Sequence, residues 1–196
     1  DSEPDRIKLE TSPFTTNARP TRAAVRGPDY REFYHPSISG TTVAYSVEQW
    51  TGNAYDYVVE CVDTETGRID VFDAGVLDDM PKLDGGRVVW SSGTGRMYDN
   101  PTTSVLLGDL ATGDMQFLET ATSTVSYGYP AISGNVVVWL RHQGVSRNAA
   151  QYFQTPFDVC GADITNSSNP VYFVIAEEAG RGAPYPSDNY RDDNDD

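Results

Sequence analysis

The sequence predicts an all-β fold of three four-stranded antiparallel repeats shaped like propeller blades. Three observations predict it. A short unit recurs three times without a gap: HPSISGTTVAY (35–45), MPKLDGGRVVW (80–90) and YPAISGNVVVW (129–139). A second unit follows each copy: YVVECVDTETGRIDVF (57–72), SVLLGDLATGDMQFL (104–118) and DVCGADITNSSNPVYFV (158–174). Gly (17), Pro (12) and Tyr (12) are abundant, as a turn-rich β-protein requires.

Each repeat reads as four strands. The first opens at Pro36, Pro81 or Pro130, since the start of a strand is where a missing N–H costs least. An aliphatic residue follows two places on (Ile38, Leu83, Ile132), then a Gly for the tight turn (Gly40, Gly85, Gly134). The second strand ends in an aromatic residue, Tyr45, Trp90 or Trp139, expected in the core. The third runs to Asp63, Asp109 or Asp163. An Asp repeated at a turn suggests capping of the backbone rather than acid–base work. The fourth strand follows the turns DTETG, DLATG and the looser DITNSSN.

A repeat unit of the type YPAISGNVVVW (129–139), with a later turn of the type DLATG (109–113 in the second repeat), resembles TolB-type β-propeller repeats, over about residues 35–176. The resemblance implies a propeller of the kind common in secreted and surface proteins of bacteria and archaea. It implies little about activity, because propellers host many functions. Propellers close with roughly four to eight blades, and this chain carries three. The alternative fold is a β-prism of three sheets. The expected organisation is an N-terminal strand and extended arm at 1–34, a three-repeat β domain at 35–183, and a strand remnant with an acidic tail at 184–196. GVSRNAAQYF (144–153) is an insertion in the third repeat with room for a short helix.

The formal net charge is −15, and there are two lysines, Lys8 and Lys82, against twelve arginines. Phosphate backbones repel such a surface, so nucleic acid is not an expected partner. No apolar run approaches the roughly 18 residues that span a bilayer, so membrane insertion is not expected. The chain starts at Asp1 without Met and reads as a processed, extracellular or cell-surface form.

The motifs name no catalytic group. His35 fills the slot of Met80 and Tyr129 in the other repeats and reads as a strand residue, and no G-x-S-x-G elbow accompanies the histidines. Trp50 and Tyr55, in the loop VEQWTGNAYDY, are the candidate ligand contacts, with glycans as the ligand class. The tail residues Asp192, Asp193 and Asp195 are oxygen ligands that suit calcium, without the spacing of an EF-hand. Asn166 in NSS is a glycosylation acceptor by pattern. No other cofactor is expected.

The incomplete blade count suggests a non-catalytic protein whose partner is itself, as a filament, sheath or layer subunit. In that reading Arg6, Ile7, Lys8 and Leu9 supply a strand to an open edge. Cys61 lies two residues before its turn Asp and Cys160 three before its own, which puts the two sulfurs on opposite blade faces. Three outcomes are then open: a disulfide between subunits that staples a polymer, an intramolecular bond that favours the closed prism, or two free buried thiols. The alternatives are a carbohydrate-binding propeller lectin and a fragment of a larger extracellular enzyme.

Overall fold

The computed structural model describes residues 32–50, 55–94, 102–143 and 157–179. Every regular element among them is a strand. Blade 1 comprises β1 (Glu32–Ser39), β2 (Thr42–Trp50), β3 (Tyr55–Asp63) and β4 (Ile69–Phe72). Blade 2 comprises β5 (Leu77–Asp84), β6 (Arg87–Thr94), β7 (Thr102–Asp109) and β8 (Met115–Glu119). Blade 3 comprises β9 (Val125–Ser133), β10 (Val136–Gln143), β11 (Phe157–Asp163) and β12 (Val171–Ala179). Within each blade the strands pair antiparallel in chain order. A single parallel bridge, Tyr57 with Leu77, joins blades 1 and 2 into one hydrogen-bonded sheet.

The turn chemistry is that of the repeat. Gly40, Gly85 and Gly134 have φ of 59°, 55° and 55°, the left-handed conformation a side chain resists. Asp63 Oδ1 accepts the N–H groups of Glu65 and Thr66, Asp109 Oδ1 those of Ala111 and Thr112, and Asp163 Oδ1 that of Thr165. These carboxyls cap the turns into the fourth strands.

The prolines do not begin their strands. Each first strand starts earlier, and the proline lies within it at a bulge, between Tyr34 and Ser37, Asp79 and Lys82, or Gly128 and Ala131. Where the pleat breaks, a residue without an N–H interrupts no regular ladder.

Among the described residues two cores form, each between neighbouring blades. Ala44, Val59, Cys61 and Phe72 of blade 1 pack on Leu83, Val88, Trp90 and Leu106 of blade 2. Val89, Val105, Leu107 and Leu118, from the other face of blade 2, pack on Val137, Trp139, Cys160 and Ala162 of blade 3. Period-2 alternation along β6 and β7 sends successive side chains to opposite blades. A prism would gather its inner faces into one core, so this series of face-to-face sheets is propeller-like. Trp90 and Trp139 are fully buried, whereas Tyr45 is only half-buried and meets Phe33 edge-on at 5.3 Å. The sequence position is equivalent, but the Tyr45 face of blade 1 is the one turned away from blade 2.

Candidate functional site

The first strands converge: β5 lies against β1 on one side and β9 on the other. On them, His35, Met80 and Tyr129 share one unusual conformation, with φ of 50°, 57° and 52°. None is glycine and each precedes a proline, where the α regions are disfavoured. The strain is of order 1–3 kcal/mol per residue. Bulge and proline together hold it, and they re-aim the side chain at the slot. His35 and Tyr129 are exposed.

At this convergence blades 1 and 2 are clasped by Asp79. Its Oδ1 accepts from His35 Nδ1 at 2.7 Å, Ser46 Oγ at 2.9 Å and its neighbour Met80 N at 2.7 Å. The set contains Ser, His and Asp but cannot act as a nucleophilic relay. The carboxyl lies between serine and histidine, so the imidazole is not placed to take the hydroxyl proton. The adjacent Asp78 is fully buried. Its Oδ2 accepts from the N–H groups of Ala74 and Gly75, and its Oδ1 from Trp90 Nε1 at 3.0 Å. Burial raises the Asp78 carboxyl above its ordinary value, and hydrogen bonds from Ser92, Ala74, Trp90 and Gly75 oppose that.

The neighbouring face of blade 1 carries an aromatic and acidic cluster. Tyr34 Oη donates to Glu32 and, at 3.3 Å, to Glu48 Oε2. Tyr57 Oη donates to Glu48 Oε1 at 2.8 Å, and the Tyr34 and Tyr57 rings lie 6.2 Å apart. The bond to Glu32 is the main cause that pushes the Tyr34 phenol up, followed by desolvation and the Glu48 charge.

Of the residues singled out by sequence, Trp50 and Tyr55 are cross-strand partners, the last residue of β2 and the first of β3, and Tyr55 is exposed. Asn166 is exposed in the turn between β11 and β12, its carbonyl accepting Asn169 N at 2.9 Å. Cys61 and Cys160 are free and buried, one in each core. Their sulfurs leave opposite faces of their own blades, and both point at blade 2. Burial pushes the Cys61 thiol up to about 12 and raises the Cys160 thiol as well. Neither has the thiolate character of a nucleophile. Arg6, Ile7, Lys8, Leu9, Asp192, Asp193, Asp195 and the 144–153 insertion lie outside the described residues. Among the described residues, no group of three His, Cys, Asp or Glu side chains could hold a metal ion.

Sequence reasoning missed the Asp78–Trp90 bond, the Asp79 clasp and the strained residues. The available signal was the slot before each proline, where scaffold residues repeat and the displayed residue differs.

No family model matches the chain, and no curated protein does. Solved structures do match. The acylaminoacyl peptidase of Pyrococcus horikoshii aligns over 75% of this chain and 25% of its own length, with 12% identity and a TM-score of 0.53. The β-propeller domain of the trilobed protease from Pyrococcus furiosus, described as having an open velcro topology, aligns over 74% of this chain and 43% of its own, with 14% identity and a TM-score of 0.52. The chain thus spans a quarter to less than half of these proteins. At such identities the likeness carries the fold alone, and that fold is a β-propeller. It corrects the expectation of a filament, sheath or layer subunit. In these neighbours propeller blades belong to peptidases, so three blades in series are no signature of a self-assembling protein. The low blade count and the open faces, from which assembly was argued, fit a stretch of a longer propeller equally well.

Proposed function

We propose that these blades are a non-catalytic stretch of the propeller of a larger, peptidase-type enzyme, built from repeats of TolB type. The observation that carries this is the alignment of three-quarters of the chain with one quarter of an acylaminoacyl peptidase. The side-chain chemistry agrees with it. The Ser46, Asp79 and His35 group is a clasp between blades, and the two thiols are buried and hard to ionise. In this reading the converging first strands, with His35, Met80 and Tyr129 displayed on strained backbone, line the way to a catalytic domain elsewhere in the polypeptide.

A fluorophosphonate probe tests the proposal. Applied to an extract of the native source, it should label a serine hydrolase heavier than 21.5 kDa whose digest contains the tryptic peptide 69–82. The 196-residue chain alone should take no label. Labelling of Ser46 or Ser91 in the isolated chain, or recovery of the peptide only from an unlabelled 21.5 kDa species, would overturn it.

A further inference from the structure

Among the described residues, the blade-to-blade contact occurs twice with the same residue slots, and those slots are present a third time without a covering sheet. On blade 1 the face toward the following blade pairs Ala44 with Cys61 and Ser46 with Val59, and Phe72 lies opposite Val59. On blade 2 the same register pairs Val89 with Leu107 and Ser91 with Val105, and Leu118 sits at a bulge between the partners of Val105 and Leu106. All of these side chains are buried. On blade 3 the register pairs Val138 with Gly161 and Leu140 with Val159. Ile175 occupies the same bulge as Leu118, between the partners of Val159 and Cys160.

The chemistry of the third face is that of the other two, but its burial is not. Leu118 is 4% exposed and Ile175 is 57% exposed. Val138, Leu140 and Val159 are only half-buried. Phe173 folds its ring over Gly161, where an added Cβ would meet it at 2.7 Å, and it remains 37% exposed. The result is a contiguous apolar face with a smooth patch at Gly161. Sheet faces of this kind are covered in native proteins.

We infer that this face of blade 3 receives a fourth blade of the same propeller. The inference rests on the reading that the chain belongs to a longer protein. The occupant is an antiparallel sheet that follows the Pro-x-aliphatic-x-Gly pattern and carries an aromatic residue nine places after the proline. Trp90 and Trp139 occupy that position. Both face the preceding blade, Trp90 toward Ala44, Val59 and Cys61, and Trp139 toward Val89, Val105 and Leu107. The ring of the fourth blade would seat by the same register over Val138, Val159 and Gly161.

Footprinting and cross-linking test it in the full-length native polypeptide. A photoactivated carbene reagent should label Phe173 and Ile175 several-fold less there than in the 196-residue chain, with Val105 and Leu118 protected in both. In an Ile175→Cys variant of the full-length protein, a benzophenone maleimide should cross-link on irradiation to a segment of the same polypeptide with the Pro-x-aliphatic-x-Gly pattern. Equal labelling of a longer protein overturns this inference and leaves the peptidase reading standing. A cross-link to a second copy or to another polypeptide overturns it too. A native polypeptide of these 196 residues alone removes both readings.

Discussion

Trp90 and Trp139 fill one slot in successive blades, and both are fully buried, but their indole N–H groups fare differently. Trp90 Nε1 donates to Asp78 Oδ1 at 3.0 Å. Trp139 Nε1 is buried without a partner, because blade 3 has Tyr127 where blade 2 has Asp78. Replacing each by Phe separates packing from hydrogen bonding. The smaller ring costs about 2 kcal/mol at either site in lost contacts and residual cavity. Trp90→Phe also strips a donor from a buried carboxyl, a further cost of about 1–3 kcal/mol. Trp139→Phe removes a polar group that already carries a desolvation penalty of about 1–3 kcal/mol, so the two terms offset. Trp90→Phe should therefore destabilise by about 4 kcal/mol and Trp139→Phe by at most about 1 kcal/mol. Urea unfolding followed by far-ultraviolet circular dichroism reads the difference. With slopes of about 1–3 kcal/mol per molar, a gap of about 3 kcal/mol separates the midpoints by about 1 M or more. Coincident midpoints would refute the assignment of the Asp78 bond as the distinguishing contact.

The serines of the second strands form a similar pair. Ser46→Ala should lower stability by about 1–2 kcal/mol because Asp79 loses a donor, whereas Ser91→Ala, at a buried hydroxyl without a partner, should be neutral or stabilising by differential scanning fluorimetry. Both thiols should resist an aromatic disulfide reagent at mildly alkaline pH until urea unfolds the chain, and non-reducing electrophoresis should give a single monomer band; a ladder would contradict the buried placement. The exposed turn carboxyls report on acid stability. The Thr66 N–H holds Asp63 below the ordinary value of 3.8, and the Thr165 hydroxyl does the same for Asp163. With folded values below unfolded ones, their contribution is complete above the ordinary value and is lost as pH falls through the lower folded values. The Asp63→Asn, Asp163→Asn double variant should show a shallower fall in melting temperature with acid, and parallel curves for variant and parent would count against the caps.

Much of the fold was legible because the repeat writes the same local rules three times. Gly40, Gly85 and Gly134 mark left-handed turns, Asp63, Asp109 and Asp163 mark capped ones, and Trp90 and Trp139 mark the core. The place of the prolines was misread, since a strand-start rule says nothing of a bulge inside a strand. The offset of Cys61 and Cys160 relative to their turns carries their facing, because alternation along a strand is strict. That both face blade 2 depends on how the blades stack, which no single strand encodes. The Asp79 clasp was hidden for the same reason. Its donors His35 and Ser46 lie 44 and 33 residues away in sequence and belong to another blade. The asymmetry between Asp78 and Tyr127 was visible as letters, but its meaning required the indole beside each.

Blade 2 lends one face to each core, and this sets how the molecule can come apart. Among the described residues, blades 1 and 3 each share a core with blade 2 alone, so either can open there by breaking one interface while the other stays closed. The middle blade opens only if both interfaces fail. The described blades therefore form a short one-dimensional array of coupled units, in which the free energy of local opening should rise toward blade 2. Cooperativity is concentrated in β6 and β7, whose alternate side chains belong to different cores. A substitution there is felt on both sides, whereas one on the outer face of an end blade is felt on one. In such an array each added neighbour turns a terminal unit into an internal one, so extending the series raises the cooperativity of the blades already present.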